Sequence, residues 1–496
     1  MLPLLANRFL IALPPIWLVA AGAGIAALLV GAVWLAFTRS ASRGAAELRE
    51  SLHEGFLGPM AWLLVSLSAV AVALTPLVPL GQIGRSLVRL VTAGEEIRTI
   101  EVPADAEQMP LELDLRPQEI ASFGMQADRR LVIRTQQPIE GFALVKVPDV
   151  ELTAGEPWEW LRSEGETSPF LGARASLEIT NPTGEPAQLT IRSTLVPEYP
   201  QVAILPWTVL VVLAILASFA AVRLGLPRIA AVAAVTTKEA VAQPVFVVAM
   251  VVGAVALVTF IVIPYNTFGE DVKMLKDSGL TLVKVLSLLV VVWTASVSVA
   301  DEIEGRTALT VLSKPVNRVQ FVVGKYLGLA AAVLLLVLVL GTVLMATTSL
   351  KVVYDAREAA KTEPLWRDCA DEMITVVPGL VLSLLEAILL AAVSVAVSTR
   401  LGLVPNLIIC FTVYTLGHLV PLVVQSSVGK FAIVRFVGQL FATVLPVLDH
   451  FTIEAAVVGG VAVPWGYLAW ATAYAGLYST VAILVALVLF QDRDLA

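Results

Sequence analysis

Hydrophobic residues in this chain fall into long unbroken runs, and the polar positions collect between the runs instead of being spaced through them. The runs are Pro15 to Phe37, Gly58 to Leu80, Val202 to Val222, Val245 to Ile263, Leu280 to Ala300, Val319 to Ala346, Ile374 to Ser398, Leu403 to Val424 and Trp465 to Phe490. A bilayer core is crossed by about 20 apolar residues of helix, so this pattern predicts about nine spans. Between Glu95 and Pro200 the period changes. Short alternating segments appear at Leu111 to Leu115, Arg130 to Thr135, Phe142 to Val147, Ala175 to Thr180 and Ala187 to Leu195. They are separated by turn signals such as Pro148-Asp149 and Asn181-Pro182-Thr183-Gly184, which predicts strands. The expected fold class is a polytopic α-helical membrane protein with an inserted β-sandwich-like domain. Its expected divisions are two spans in 1–94, the β-rich domain in 95–200, a third span in 201–227 and a six-span bundle in 228–496.

Three stretches break the simple pattern. Ile229 to Gln243 is weakly amphipathic and Pro244 opens the next run, so a helix lying in the membrane interface and a simple linker are both open there. Phe431 to Val463 is apolar but interrupted by Pro446, Asp449, His450 and Gly459-Gly460. A re-entrant or broken segment buried in protein fits it better than a clean crossing. Val297 to Gly328 packs Asp301, Glu302, Glu304, Arg306, Lys314 and Arg318 between two apolar runs, and charges at that density belong in water. Asp301 to Leu312 lacks proline, Pro315 breaks it, and Asn317 with Gln320 can form a capping box for the next helix.

Composition agrees with the runs: 58% of the 496 residues are hydrophobic and 15% charged, against about 45 to 50% and about 25% in soluble domains. A net charge of −7 suggests no nucleic-acid partner. Cys369, read as lying in a loop, and Cys410, in an apolar run, support neither a disulfide framework nor a zinc site. The three histidines show no metal spacing, and no serine or cysteine has the setting of an activated nucleophile. Gly324-Lys325 and Gly429-Lys430 lack the upstream glycine and following hydroxyl of a phosphate cradle. The N-terminus does not read as a cleaved signal, since its apolar run is long and only Arg8 precedes it.

A few polar residues stand out inside the apolar runs. Glu386 lies near the middle of one, where a carboxylate is costly and needs a partner or a wet cavity. Pairing across helices and lining a substrate path are both open. His418 is expected to make a polar contact between helices, and Asp449 with His450 to serve the broken segment structurally. Lys284 is expected to snorkel from a span end. Trp158 and Trp160 are expected in the core or rim of the β domain.

The stretch 301–328 closely resembles the cytoplasmic loop of type-2 ABC transporter permeases. In that family an acidic pair, a glycine and a Ser-Lys-Pro-Val segment precede a Gly-Lys-Tyr-Leu-Gly helix start. Here these are Glu302 and Glu304, Gly305, Ser313 to Val316, and Gly324 to Gly328. Thr236 to Pro244 falls at the family's elbow helix; Leu445, Pro446, Leu448, Asp449 and Phe451 match its Leu-Pro-x-Leu-Asp-x-Phe segment; and Phe490, Arg493, Asp494 and Leu495 resemble its C-terminus. The resemblance covers about residue 236 to the end and leaves the first ~235 residues outside it.

The resemblance implies a permease subunit, an exporter, in the plasma (inner) membrane, paired with a second permease (another copy or a similar chain) and served by a separate ABC ATPase. Asp301, Glu302, Glu304, Gly305, Arg306, Ser313, Lys314 and Pro315 would dock on that ATPase, which uses the ATP; the chain itself would be neither an enzyme nor a holder of a cofactor. With the loop at 301–318 cytoplasmic, parity puts the hairpin at Asn266 to Gly279 and the loop at Lys351 to Glu372 outside, Arg400 and the C-terminus inside, and the β domain outside. The Arg39, Arg43 and Arg49 loop then lies inside, as the positive-inside rule prefers, while Arg85, Arg89 and Arg98 lie on the outer side. A second expectation, from another class, is a membrane scaffold or sensor whose β domain binds an external ligand without transport.

Overall fold

A computed structural model describes residues 9–39, 56–113, 115–135, 149–162, 170, 174–263, 265, 270–300, 316–425, 431–453, 459 and 463–491. The chain divides into two compact units, one formed by Met1–Val78 with Ile204–Ala496 and the other by Pro79–Ala203. In chain order the elements are helices α1 (Leu13–Arg39), α2 (Leu57–Leu74) and α3 (Leu80–Thr92), then strands β1 (Gly94–Val102), β2 (Met109–Glu112), β3 (Ile120–Ala127), β4 (Leu131–Thr135), β5 (Val150–Leu152), β6 (Pro157–Leu161), β7 (Ser176–Thr180) and β8 (Ala187–Leu195). Helices α4 (Ile204–Gly225), α5 (Pro227–Ala242), α6 (Pro244–Thr259) and α7 (Asp271–Ala295) follow, the last continued by a π turn at Ser296–Ala300. Then come α8 (Arg318–Glu358), α9 (Trp366–Ser398), α10 (Leu403–Gln425), α11 (Ala432–Val444) and α12 (Trp465–Gln491).

Among the described residues, eight helices are long and apolar enough to cross a membrane. A helix satisfies its own backbone groups, which is what a lipid environment demands. The expected span at Val245 to Ile263 is the exception: α6 has 16 residues, and it reaches span length only together with α5, from which it bends by 60° at Gln243-Pro244. A helix lacking the proline N–H there, and with Gln243 extended, turns instead of continuing. Of these eight helices α7, α8 and α9 are the most buried, each over more than half of its apolar stretch, against a third or less for the others. Close approach is built in by small residues. A Cβ on Gly379 of α9 would lie 2.7 Å from a Leu280 methyl of α7.

Three loop expectations are corrected. Residues 351–372 are mostly helical: α8 runs on to Glu358 and α9 starts at Trp366. At 41 residues α8 is about 60 Å long, twice a bilayer core, so its last turns carry Lys351 and Asp355 without leaving the helix. Cys369 is accordingly a buried residue of α9, not a loop residue. The stretch expected as a hairpin to Gly279 is helical from Asp271 on, and 266–269 lie outside the described residues.

The second unit has two four-stranded antiparallel sheets, ordered β1-β8-β3-β6 and β2-β7-β4-β5. One hydrophobic core draws on both, including Phe123, Met125 and Ile191 from the first and Leu131, Ile133, Leu177 and Ile179 from the second. Strand β8 alternates buried and open positions along its length, as a half-buried strand must. The expected segments near 111, 130, 175 and 187 are strands, while Phe142 to Val147 lies outside the described residues. Trp160 is buried and Trp158 packs against the same core. The turn at Asn181 is held by its amide, which donates to Pro103 O at 2.9 Å and Glu185 O at 3.0 Å and accepts from Thr183 N at 3.0 Å.

Candidate functional site

The sequence singled out residues 301–315, and all eight of its proposed docking residues, Asp301, Glu302, Glu304, Gly305, Arg306, Ser313, Lys314 and Pro315, lie outside the described residues. What surrounds that stretch is described. Helix α8 opens with the expected capping box: the Asn317 side chain accepts from Gln320 N at 2.8 Å, and Gln320 Oε1 accepts from Asn317 N at 3.1 Å. On the other side, α7 ends in the π turn Ser296–Ala300, a local widening of the ladder to i→i+5 bonds that recurs at working sites.

Lys325 joins these elements. Its ammonium is buried, donates to Ser298 Oγ of the π turn at 3.0 Å and lies 3.5 Å from the Glu239 carboxylate of α5. The glycines on either side of it in Gly-Lys-Tyr-Leu-Gly are one turn apart and face α5. A Cβ on Gly324 would stand 2.6 Å from Val232 Cβ, and one on Gly328 would stand 2.6 Å from Thr236 Cβ and 2.7 Å from Ala233 O. The Thr237 hydroxyl sits between the carbonyls of Ala233, at 2.8 Å, and Gly328, at 3.0 Å. Small residues four apart let two helix backbones touch, so this segment is the seat on which α5 rests.

A second joint holds the π turn from behind. The Asn406 amide of α10 lies 2.6 Å from Ser296 Oγ, 2.8 Å from Ser394 Oγ and 2.9 Å from Ser398 Oγ, all buried. One amide thus ties the end of α7 to α9 and α10. At the same end of the bundle the last carbonyls of α12 are covered by guanidinium groups: Arg318 Nη1 donates to Gln491 O at 2.6 Å and Arg400 Nε to Leu489 O at 2.7 Å. Cations at a helix C-terminus complement both its open acceptors and its dipole. Phe490 stacks on Phe321 at 5.8 Å, while Arg493, Asp494 and Leu495 lie outside the described residues.

Deeper in the bundle, Glu386 is fully buried on α9 and has two basic neighbours, the Lys284 ammonium and the His418 imidazole. Lys284 Nζ of α7 is 3.8 Å from Oε2, and His418 Nε2 of α10 is 3.4 Å from Oε1. His418 also holds its Nδ1 3.1 Å from Tyr414 O. The expected interhelical contact of His418 is therefore present, and Glu386 is paired across helices. Lys284 does not snorkel: α7 starts at Asp271, which moves Lys284 from a helix end to its interior, 5% exposed. Asp449 is half-buried in a short 3-10 turn at Leu448–Phe451. From that turn it is Leu448 that reaches α10, packing where a Gly417 Cβ would be 2.8 Å away. The turn is fixed by Tyr474 Oη accepting from Val447 N at 2.8 Å and by Tyr467 Oη donating to His450 O at 2.6 Å.

The opposite end of the bundle is closed by a buried lysine that the sequence reading missed. Lys351 Nζ lies 3.1 Å from Ile261 O, 3.2 Å from Ile263 O and 3.3 Å from Asp271 Oδ2, between the rings of Tyr265 and Tyr354. Three acceptors match the three donors of an ammonium, and the rings add cation–π attraction. Burial pushes the Tyr265 phenol up, so that ring stays neutral beside the cation. Lys276 pairs in the same region with Glu372 at 2.7 Å and Thr375 Oγ1 at 3.2 Å.

Comparison of the chain with family models and with curated proteins returned no match.

Proposed function

We propose that this chain is the membrane-spanning permease subunit of a type-2 ABC exporter, working in the plasma (inner) membrane with a second permease copy and a separate ABC ATPase. The observation that carries the reading is the Lys325 joint. The two helix ends that bracket residues 301–315 are bonded to each other and to the elbow helix through Lys325, Ser298 and Glu239. A force applied to the bracketed residues is thereby delivered to α5, α7 and α8 together rather than lost in a slack connection. The Asn406 joint passes it on to α9 and α10. In this reading Asp301 to Pro315 receives the motion of the ATPase, which holds and hydrolyses the ATP, and the permease carries no nucleotide chemistry of its own.

The two-sheet unit is, on this proposal, a sandwich-like extracytoplasmic domain, and α5 is the elbow lying along the inner membrane surface. Glu386 acts as a brace: full burial between Lys284 and His418 favours pairing over an open substrate path. The test is reconstitution with the co-purified ATPase. Lys325→Met is expected to leave ATPase binding intact and to uncouple hydrolysis from transport, as is Glu304→Ala combined with Gly305→Ala. Full transport by both variants would overturn the assignment of the joint, and purification without any ATPase would favour the scaffold or sensor function.

A further inference from the structure

Helix α3, which leads from the second span into the β-rich unit, leaves a stripe of apolar residues open on the side turned away from its own unit. Its inward side carries Ile83 and Ser86, both buried, and Arg89, whose Nε donates to the Glu119 carboxylate at 2.7 Å. Its outward side carries Leu80, Val88 and Val91, which are 44, 66 and 85% exposed. Gly81 and Gly84 lie on that side too, with open space where a Cβ would be. Arg85 is exposed at the edge of the stripe. A helix in bulk water would bury the valines.

Two connections say what the outward side meets. The apolar helix Leu57–Leu77 ends three residues before α3, and that link reaches at most about 10 Å. On its inner side α3 packs against the 3-10 turn Pro200–Ala203, which continues without a break into the apolar helix ending at Gly225. Both ends of the β-rich unit are thus tethered to span termini, and α3 belongs to that junction. We propose that α3 lies flat on the bilayer, on the side of the β-rich unit, with Leu80, Val88 and Val91 in the headgroup–acyl boundary and Arg85 level with the lipid phosphates. Such helices sit about 5 to 10 Å into that boundary. The occupant of the stripe is lipid, and the inference does not depend on the transporter reading.

The test uses the full chain in phosphatidylcholine–phosphatidylglycerol vesicles, with an environment-sensitive fluorophore on Val88→Cys, Val91→Cys or, as a reference, Gly184→Cys in the exposed turn before β8. Cys369 and Cys410 are buried, and the unsubstituted chain measures any background labelling. Labels at 88 and 91 are expected to emit at shorter wavelength than at 184 and to be quenched by lipids spin-labelled high on the acyl chain. Arg85→Glu is expected to reduce that quenching, more so as phosphatidylglycerol is increased. Labels at 88 and 91 as water-exposed as at 184 would overturn the proposal. So would labels shielded from water but not quenched by spin-labelled lipid, since a protein surface would then cover the stripe.

Discussion

Replacing Lys284 by methionine tests the buried cluster where its energetics are sharpest. The ammonium is 3.8 Å from Glu386 Oε2, with the two side chains 6 and 0% exposed, so solvent does little to screen the pair. At an effective dielectric constant of about 20, two unit charges at that distance attract by about 4 kcal/mol. Desolvation offsets much of this in the intact pair, but removing one partner strands the other, and such losses run to about 3 to 5 kcal/mol. Lys284→Met is therefore expected to destabilise the bundle by that amount. Lys284→Met with Glu386→Met removes both charges and leaves His418 without its carboxylate, and buried pairs replaced in this way are often neutral or stabilised by about 1 to 4 kcal/mol. The assay is reversible unfolding in mixed micelles by denaturing detergent for the parent, both single variants and the double variant. The expected result is a double-variant loss far smaller than the sum of the two single-variant losses. Losses that simply add, or a Lys284→Met variant within about 0.5 kcal/mol of the parent, would refute the brace.

Other outcomes follow from single contacts. Gly328→Val drives a branched side chain into Thr236 and Ala233 O, so it should cost about 1 to 3 kcal/mol and lower transport more than ATP hydrolysis, measured in reconstituted vesicles. Asn317→Ala removes the cap of α8 and should cost about 1 kcal/mol, read as faster hydrogen exchange in its first turn with the rest of the helix unchanged. Hydrogen bonds from Arg134 hold the Asp149 carboxyl below its ordinary value, so its contribution is present above the usual Asp range of about 3.9 and is lost as pH falls through the lower folded value. Asp149→Asn should remove that acid dependence from hydrogen exchange in β4 and β5, and an unchanged profile would remove Asp149 as its source.

Much of this architecture was legible wherever a feature depends on neighbours in sequence. Asn317 and Gln320 announced a cap, Asn181 to Gly184 a turn, and Pro244 a break, because each works through residues three or four positions away. What escaped the sequence depends on partners far along the chain. Asp271 and Lys276 look like loop residues to any local count of charge, yet each is matched across helices, by Lys351 and Glu372, and α7 extends through both. The same blindness put Lys284 at a helix end. Glu386 was recognisable as needing a partner, but nothing local names Lys284 or His418. Strand β1 was missed for a different reason: all but Val102 of its nine positions are at least partly open, so it shows little of the alternation that marks a half-buried strand. The Gly-Lys-Tyr-Leu-Gly segment was read as a helix start, whereas its spacing of small residues already held the signal of a helix seat.

The central claim is that a separate motor grips the polar stretch between α7 and α8. Its most direct measurement is a photo-crosslinker at Arg306 in native membranes, followed by identification of the captured chain. The account predicts capture of a cytoplasmic ATPase, weakened when ATP is withheld. Reaction of the same position with a membrane-impermeant reagent added outside intact cells would contradict it.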